Sequence, residues 1–328
     1  MKQFSLSNAW SLGIGFFSGK AAGHAILLIG MGILLPIVLQ MAVTGGAMGM
    51  MNPAMMGQNA LAGMAGMGGL ILILMLVSYL LQMGSYFGSW RLGFGEGEAV
   101  VGATVYGLIA ALVMVVAFGV LIFLMVLLGM QVQGSLAAVL PLLILLIPMM
   151  LLFAALYTVA VALAAVGMLL VLLILAAFGT SMGTMNPALA MTGGGAVGML
   201  IAFAIVLLLF WLAVRFSCTT SAMADRGTVN LFAGLRDSWR MTAENQWRIM
   251  GYLALIGIVL CVVFFVLAVI AGAGMMAGMR AGGGAPEMGI GTVLFTLVIS
   301  IPFAYLNVLV PAGIYRELRG PAAAEVFA

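Results

Sequence analysis

Charge is what this sequence has least of. Only 6% of its 328 residues are charged, and 66% are hydrophobic. A soluble domain carries about 25% charged residues. Too little polar surface is available to cover a globule in water, so lipid must be the main solvent. Histidine occurs once, as His24, and acidic residues number eight. Those shortages exclude a Ser-His-Asp set and a metal cluster, and no glycine-rich loop follows a strand. "GFGEG" (93–97) lies between apolar runs and forms no phosphate cradle. No catalysis, cofactor, metal site or nucleic-acid partner is therefore expected. Two cysteines, Cys218 and Cys261, cannot build a disulfide framework and read as packed thiols. Ionisable groups are missing from the centres of the apolar runs, where a proton pump or ion-coupled carrier needs them. Gln82, Ser78, Ser85 and Asn307 are the main polar side chains there, and His24 stands where the first run begins, as an interfacial residue.

Long apolar runs are plentiful. They fall at 24–43, 68–90, 103–130, 136–178, 196–216, 249–274 and 289–313. In lipid each such run reads as a spanning helix, because backbone polar groups must be satisfied internally. The run 136–178 would make one helix of about 65 Å, twice the hydrocarbon thickness. Two spans turning near Tyr157-Thr158 resolve this. The fold class expected is all-α, a polytopic transmembrane helical bundle of about eight spans. It divides into an N-terminal interfacial segment (1–23), a first membrane half (24–157) and a second (158–328). The first 23 residues mix Ser, Asn and Lys with apolar residues, unlike a signal peptide, and are expected to be retained.

With the N-terminus in the cytoplasm, this topology puts ten of the eleven basic residues inside: Lys2, Lys20, Arg91, Arg215, Arg226, Arg236, Arg240, Arg248, Arg316 and Arg319. Arg280 alone faces out, as the positive-inside rule asks. Trp10, Trp90, Trp211, Trp239 and Trp247 fall near the same interface, as an aromatic belt. The outer segments 44–69, 179–199 and 272–288 consist mostly of Gly, Met and Ala, and could fold back into the membrane.

Residues 229–247 read as an amphipathic helix. Leu231, Leu235 and Trp239 recur on one side, and Arg236, Arg240, Glu244 and Arg248 on the other, with i,i+4 pairing of Arg240 and Arg248 to Glu244. Such a helix lies in the cytoplasmic interface with arginines towards anionic headgroups. Arg226, Arg236, Trp239, Arg240, Trp247 and Arg248 are thus the candidate residues for binding membrane lipids or another membrane-protein complex. "LSNAWSL" (6–12) repeats "LRDSWRM" (235–241), and "GEGEAVVG" (95–102) matches "GTVNLFAG" (227–234), so a unit of surface helix followed by span recurs three times.

"LRDSWRMTAENQWRIMGYLALIGIV", preceded by "WLAVRFS", resembles the membrane domain attached to some glycerophosphoryl diester phosphodiesterases. "FSLSNAWSLG" and "AGIYRELRG" are similar to stand-alone alphaproteobacterial members of that family. The likeness covers both ends and residues 205–260. It implies a polytopic helical fold with interfacial helices in the inner membrane. The family's phosphodiesterase domain, with its metal-binding carboxylates and histidines, has no counterpart in this sequence.

Two Asn-Pro-Ala motifs raise an alternative, a channel or carrier for water or a small solute. Asn52-Pro53 and Asn186-Pro187 would be its pore residues. Against it, the topology puts both motifs outside. Leu189 stands where aquaporins carry arginine, and about 130 residues follow the second motif. Seven methionines in 44–69 could hold Cu(I), yet no His or Cys accompanies them, and methionine also fills apolar gaps. The leading expectation is a non-enzymatic inner-membrane protein with both termini cytoplasmic, an accessory or organising subunit.

Overall fold

The structure, a computed structural model, describes residues 3–50, 60–95, 97–131, 148–151, 153–178, 194–280 and 290–320. Among them every regular element is helical. A short helix α1 (Leu6–Ser18) opens the chain. Helix α2 (Ala21–Ala25) continues through a π-helical stretch (Ile26–Leu34) into α3 (Leu35–Met50). Then come α4 (Ala60–Phe94), α5 (Val100–Gln131), α6 (Pro148–Leu156) and α7 (Thr158–Phe178). The chain ends with α8 (Gly194–Phe216), α9 (Thr219–Arg226), α10 (Leu231–Thr242), α11 (Gln246–Arg280) and α12 (Ile290–Arg319).

Five stretches among the described residues are long and apolar enough to cross a membrane: 21–42, 100–124, 203–226, 246–267 and 295–319. The protein is a membrane-spanning helical bundle. The long run 136–178 does break at Tyr157, where α6 and α7 meet at 102°, which makes a sixth span if the bent pair crosses as one.

Helix pairs close on small residues, as they must where lipid is as apolar as the side chains and close packing supplies the attraction. At α5 against α4, a Cβ on Gly107 would overlap the Gly84 carbonyl oxygen and lie 2.7 Å from the Gly88 nitrogen. At α11 against α7, a Cβ on Gly257 would sit 2.9 Å from the Ala162 carbonyl. At α12 against α1, Gly313 meets the Ala9 carbonyl directly. The N-terminal helix therefore buries Ala9, Gly13 and Phe16 in the bundle.

The core joins helices far apart in the chain. One apolar cluster joins Phe87 and Met114 to Met223 and Val308, another joins Phe4 to Val214, Leu253 and Ile314. Trp90 links α4 to α12 by donating from its indole Nε1 to the Val308 carbonyl at 3.0 Å. It is 1% exposed, so it belongs to the core and not to the interfacial belt. Trp90→Phe keeps a ring but removes the donor, and is expected to lower stability by about 1 kcal/mol in a thermal melt of the detergent-solubilised protein.

His24 likewise leaves the interface for the interior. Phe16 and Phe17 of α1 fold over its ring at 5.3 and 4.7 Å, and its Nδ1 lies 2.6 Å from Ser89 Oγ of α4. Both residues are fully buried, so the pair ties α2 to α4.

Candidate functional site: a basic and aromatic corner

The candidate residues gather around the break between α8 and α9. Helix α8 stops at Phe216 and α9 begins at Thr219, which frees the Arg215 carbonyl and the Cys218 amide from the usual ladder. Helix α10 supplies both missing partners. Ser238 Oγ donates to the Arg215 carbonyl at 2.9 Å and accepts the Cys218 N–H at 3.1 Å. Thr242 Oγ1 shares its one proton between the Ser238 carbonyl at 2.8 Å and the same Arg215 carbonyl at 3.1 Å. The buried side of α10 is accordingly the small, polar stripe Gly234, Ser238 and Thr242. Sequence reading placed Leu231, Leu235 and Trp239 on the apolar side. The spacing G-x3-S-x3-T was the available signal for the buried stripe, and it is easily passed over in a helix scanned for large apolar residues.

The surface helix is also shorter than 229–247. Asn230 caps its start by accepting the Ala233 N–H at 3.1 Å, and the helix ends at Thr242. Asn245 interrupts it: its side chain accepts the Phe4 N–H at 3.0 Å, while its carbonyl accepts the Arg248 and Ile249 amides that start α11. Glu244 is exposed and forms no ion pair with Arg240 or Arg248 among the described residues. The third surface-helix unit is reduced to a turn, since α4 runs to Phe94 and α5 begins at Val100.

Of the six candidates, Arg236, Trp239, Arg240 and Trp247 face outwards. Phe232 joins them at 82% exposed, and Trp247 is 70% exposed. Trp239 packs edge-on against Trp211 at 5.5 Å and beside Phe216 at 5.6 Å. Its ring covers the Arg215 guanidinium, 3.9 Å from carbon to ring centroid. Such a cation–π contact is worth up to about 2 kcal/mol when desolvated. Arg215 is only 4% exposed and its Nε has no hydrogen-bond partner in the described structure. From sequence it counted only towards topology, because its burial depends on Trp239 arriving from another helix.

The other two candidates are exposed as well, but each has a partner within the chain. Arg226 pairs with Asp237 of α10. Arg248 donates to the Phe4 carbonyl at 3.3 Å and to Gln3 Oε1 at 2.8 Å, holding the N-terminal segment.

Most of the remaining positive charge satisfies helix ends, where freed carbonyls and the helix dipole favour cations. Lys20 Nζ donates to the carbonyls of Leu92, Gly95 and Glu98 at 2.8, 3.0 and 3.4 Å, closing the end of α4. Arg91 pairs with Glu98 at 2.9 Å and donates to the Ala224 carbonyl at 3.1 Å, at the end of α9. That end turns through Gly227 at φ +63°, where a Cβ would also crowd Arg91 Nη1 at 2.9 Å. Asp225 Oδ2 accepts from Tyr315 OH at 2.9 Å and from Arg319 at 2.6 Å, which fastens α9 to α12. Glu98 is thus a partner within the fold. Arg236 and Arg240 are the exposed basic side chains left with no polar partner among the described residues.

The alternative pore residues Asn52, Pro53, Asn186 and Pro187 lie outside the described residues, as do Met51, Met55 and Met56 of the methionine-rich segment. Compared with protein families, curated proteins and solved structures, the chain matches none.

Proposed function

We propose that this is a non-enzymatic inner-membrane protein, an accessory or organising subunit that acts through the outer side of α10. One observation carries the reading. Arg236 and Arg240 stand exposed and unpaired beside exposed Phe232 and Trp247, while the other described basic side chains near them are engaged within the fold. Aromatic rings and arginines side by side suit the headgroup layer and the surface of a partner lying in it. The likeness of 235–259 to a membrane domain without its enzyme fits the same role.

In this reading both termini are cytoplasmic and the chain makes about eight passes, with α6 and α7 as the two limbs of one excursion from the outer side. The basic end of the bundle supports that orientation. It collects Lys20, Arg91, Arg226, Arg316 and Arg319, from the beginning of α2 and the ends of α4, α9 and α12.

Native mass spectrometry of the protein released in patches of its own membrane tests the function. Wild type is expected to carry a stoichiometric lipid or protein companion, and Arg236→Gln/Arg240→Gln to lose at least about 80% of it, as removal of two phosphate- or carboxylate-facing cations should. An unchanged complement of companions in the double variant rejects the proposal. Tags at residues 58 and 193 check the topology, with both expected outside.

A further inference from the structure

The geometry points to a binding position for one anionic phospholipid where α8 meets α10, with its phosphodiester at Arg215 and its acyl chain along α8. The inference rests on the proposed outward role of this corner and names its ligand. Arg215 is a buried cation under the Trp239 ring, with no ion-pair partner among the described residues. The acidic groups of α9 and α10 are taken, Asp225 by Arg319 and Tyr315 and Asp237 by Arg226, and Glu244 beyond α10 is exposed. A charge removed from water needs a counter-charge or extensive hydrogen bonding, and the Arg215 Nε has neither within the described chain. The tryptophan ring above it meets part of that need and leaves the demand for an anion.

The position of Arg215 selects the kind of anion. It lies in the last turn of α8, one level above Trp211, and tryptophans favour the headgroup layer. Leu208, Trp211 and Arg215 fall on one side of α8 at spacings of three and four, so they line up along the membrane normal. Leu208 is exposed, Trp211 half-buried and Arg215 covered by Trp239. An apolar track topped by a guanidinium matches the outline of a phospholipid, chain below and phosphate above. Guanidinium suits this task because its fork binds two phosphate oxygens at once. Arg236 and Arg240, one turn apart on α10 and exposed, add positive potential around the same corner, which favours anionic over zwitterionic headgroups.

The test reconstitutes the full chain in phosphatidylcholine nanodiscs containing a minor fraction of phosphatidylglycerol, and counts phosphatidylglycerol retained on ejection into a mass spectrometer. Wild type is expected to retain one molecule. Arg215→Met keeps length and packing beneath Trp239 without the charge, and is expected to bind about tenfold more weakly. Arg236→Gln/Arg240→Gln is expected to weaken retention about threefold. Equal retention by Arg215→Met and wild type overturns the inference. Should Arg215→Met fail to fold, the wild-type protein still decides. Phosphatidylglycerol brominated on its chains must quench tryptophan fluorescence more strongly than phosphatidylcholine brominated alike at the same fraction. Equal quenching overturns the inference. The two proposals fail separately. If Arg215→Met retains lipid as wild type does while Arg236→Gln/Arg240→Gln still sheds a protein partner, the lipid position is wrong and the accessory role stands.

Discussion

Gly107→Leu is expected to yield no monodisperse protein after detergent extraction. The reason is backbone against backbone. A Cβ at 107 would overlap the Gly84 carbonyl oxygen and approach the Gly88 Cα to 3.0 Å, so no rotamer change can make room. Helices α4 and α5 would have to move apart along a contact that also holds Ala103, Ala110 and Ala111. Even Gly107→Ala is expected to lower stability by about 1–3 kcal/mol, the range for overpacking a tight core. Gly119→Ala on the same helix is the control. It has no heavy atom within 4 Å of a modest new side chain, and is expected to stay within about 1 kcal/mol of wild type. Thermal melts followed by size-exclusion chromatography separate these outcomes. Equal behaviour of Gly107→Ala and Gly119→Ala would show that α4 and α5 do not touch there.

The second large effect concerns the junction of α8, α9 and α10. Ser238→Ala strips the Cys218 N–H of its acceptor inside a fully buried site. An orphaned buried amide costs about 1–3 kcal/mol. Thr242→Val removes one of two hydroxyls from the Arg215 carbonyl, which keeps Ser238, so about 1 kcal/mol is expected. The double variant Ser238→Ala/Thr242→Val should exceed the sum, because the carbonyl then loses both hydroxyls. Hydrogen exchange gives the local readout: the Cys218 amide should exchange faster in Ser238→Ala and remain near wild type in Thr242→Val. Unchanged exchange in Ser238→Ala would remove α10 from its assigned place.

These contacts also show where the sequence was legible. Five of the seven apolar runs coincide with helices long and apolar enough to span, 68–90 within α4 is not among those five, and the break at Tyr157 follows from a run too long for one crossing. The surface helix before α11 was visible through its periodicity, but its end was not. Arg240, Glu244 and Arg248 keep helical spacing straight through the interruption, and Asn245 is set by Phe4, 241 residues away. Tryptophans read alike whether they sit in a headgroup layer or a core. Trp90 is buried because Val308 brings a carbonyl to it from another helix. Arginine is equally ambiguous. Arg226 and Arg248 are exposed like a lipid-facing surface, yet Asp237 pairs with the first, and Gln3 and the Phe4 carbonyl hold the second. Arg236 and Arg240 are told apart from them only by what the fold leaves unpaired.

The hydroxyl bridge from α10 to the end of α8 has a mechanical meaning. A spanning helix and a surface helix joined only by a loop could tilt independently. Here the carbonyl that ends the span is held by Ser238 and Thr242, and Arg91 and Asp225 anchor α9 between them to α4 and α12. The result is a bracket whose two arms, α8 and α10, are fastened to each other at the corner. In the proposed orientation, with α10 at the cytoplasmic surface, bilayer thinning that tilts α8 would move α10, and with it Arg236 and Arg240.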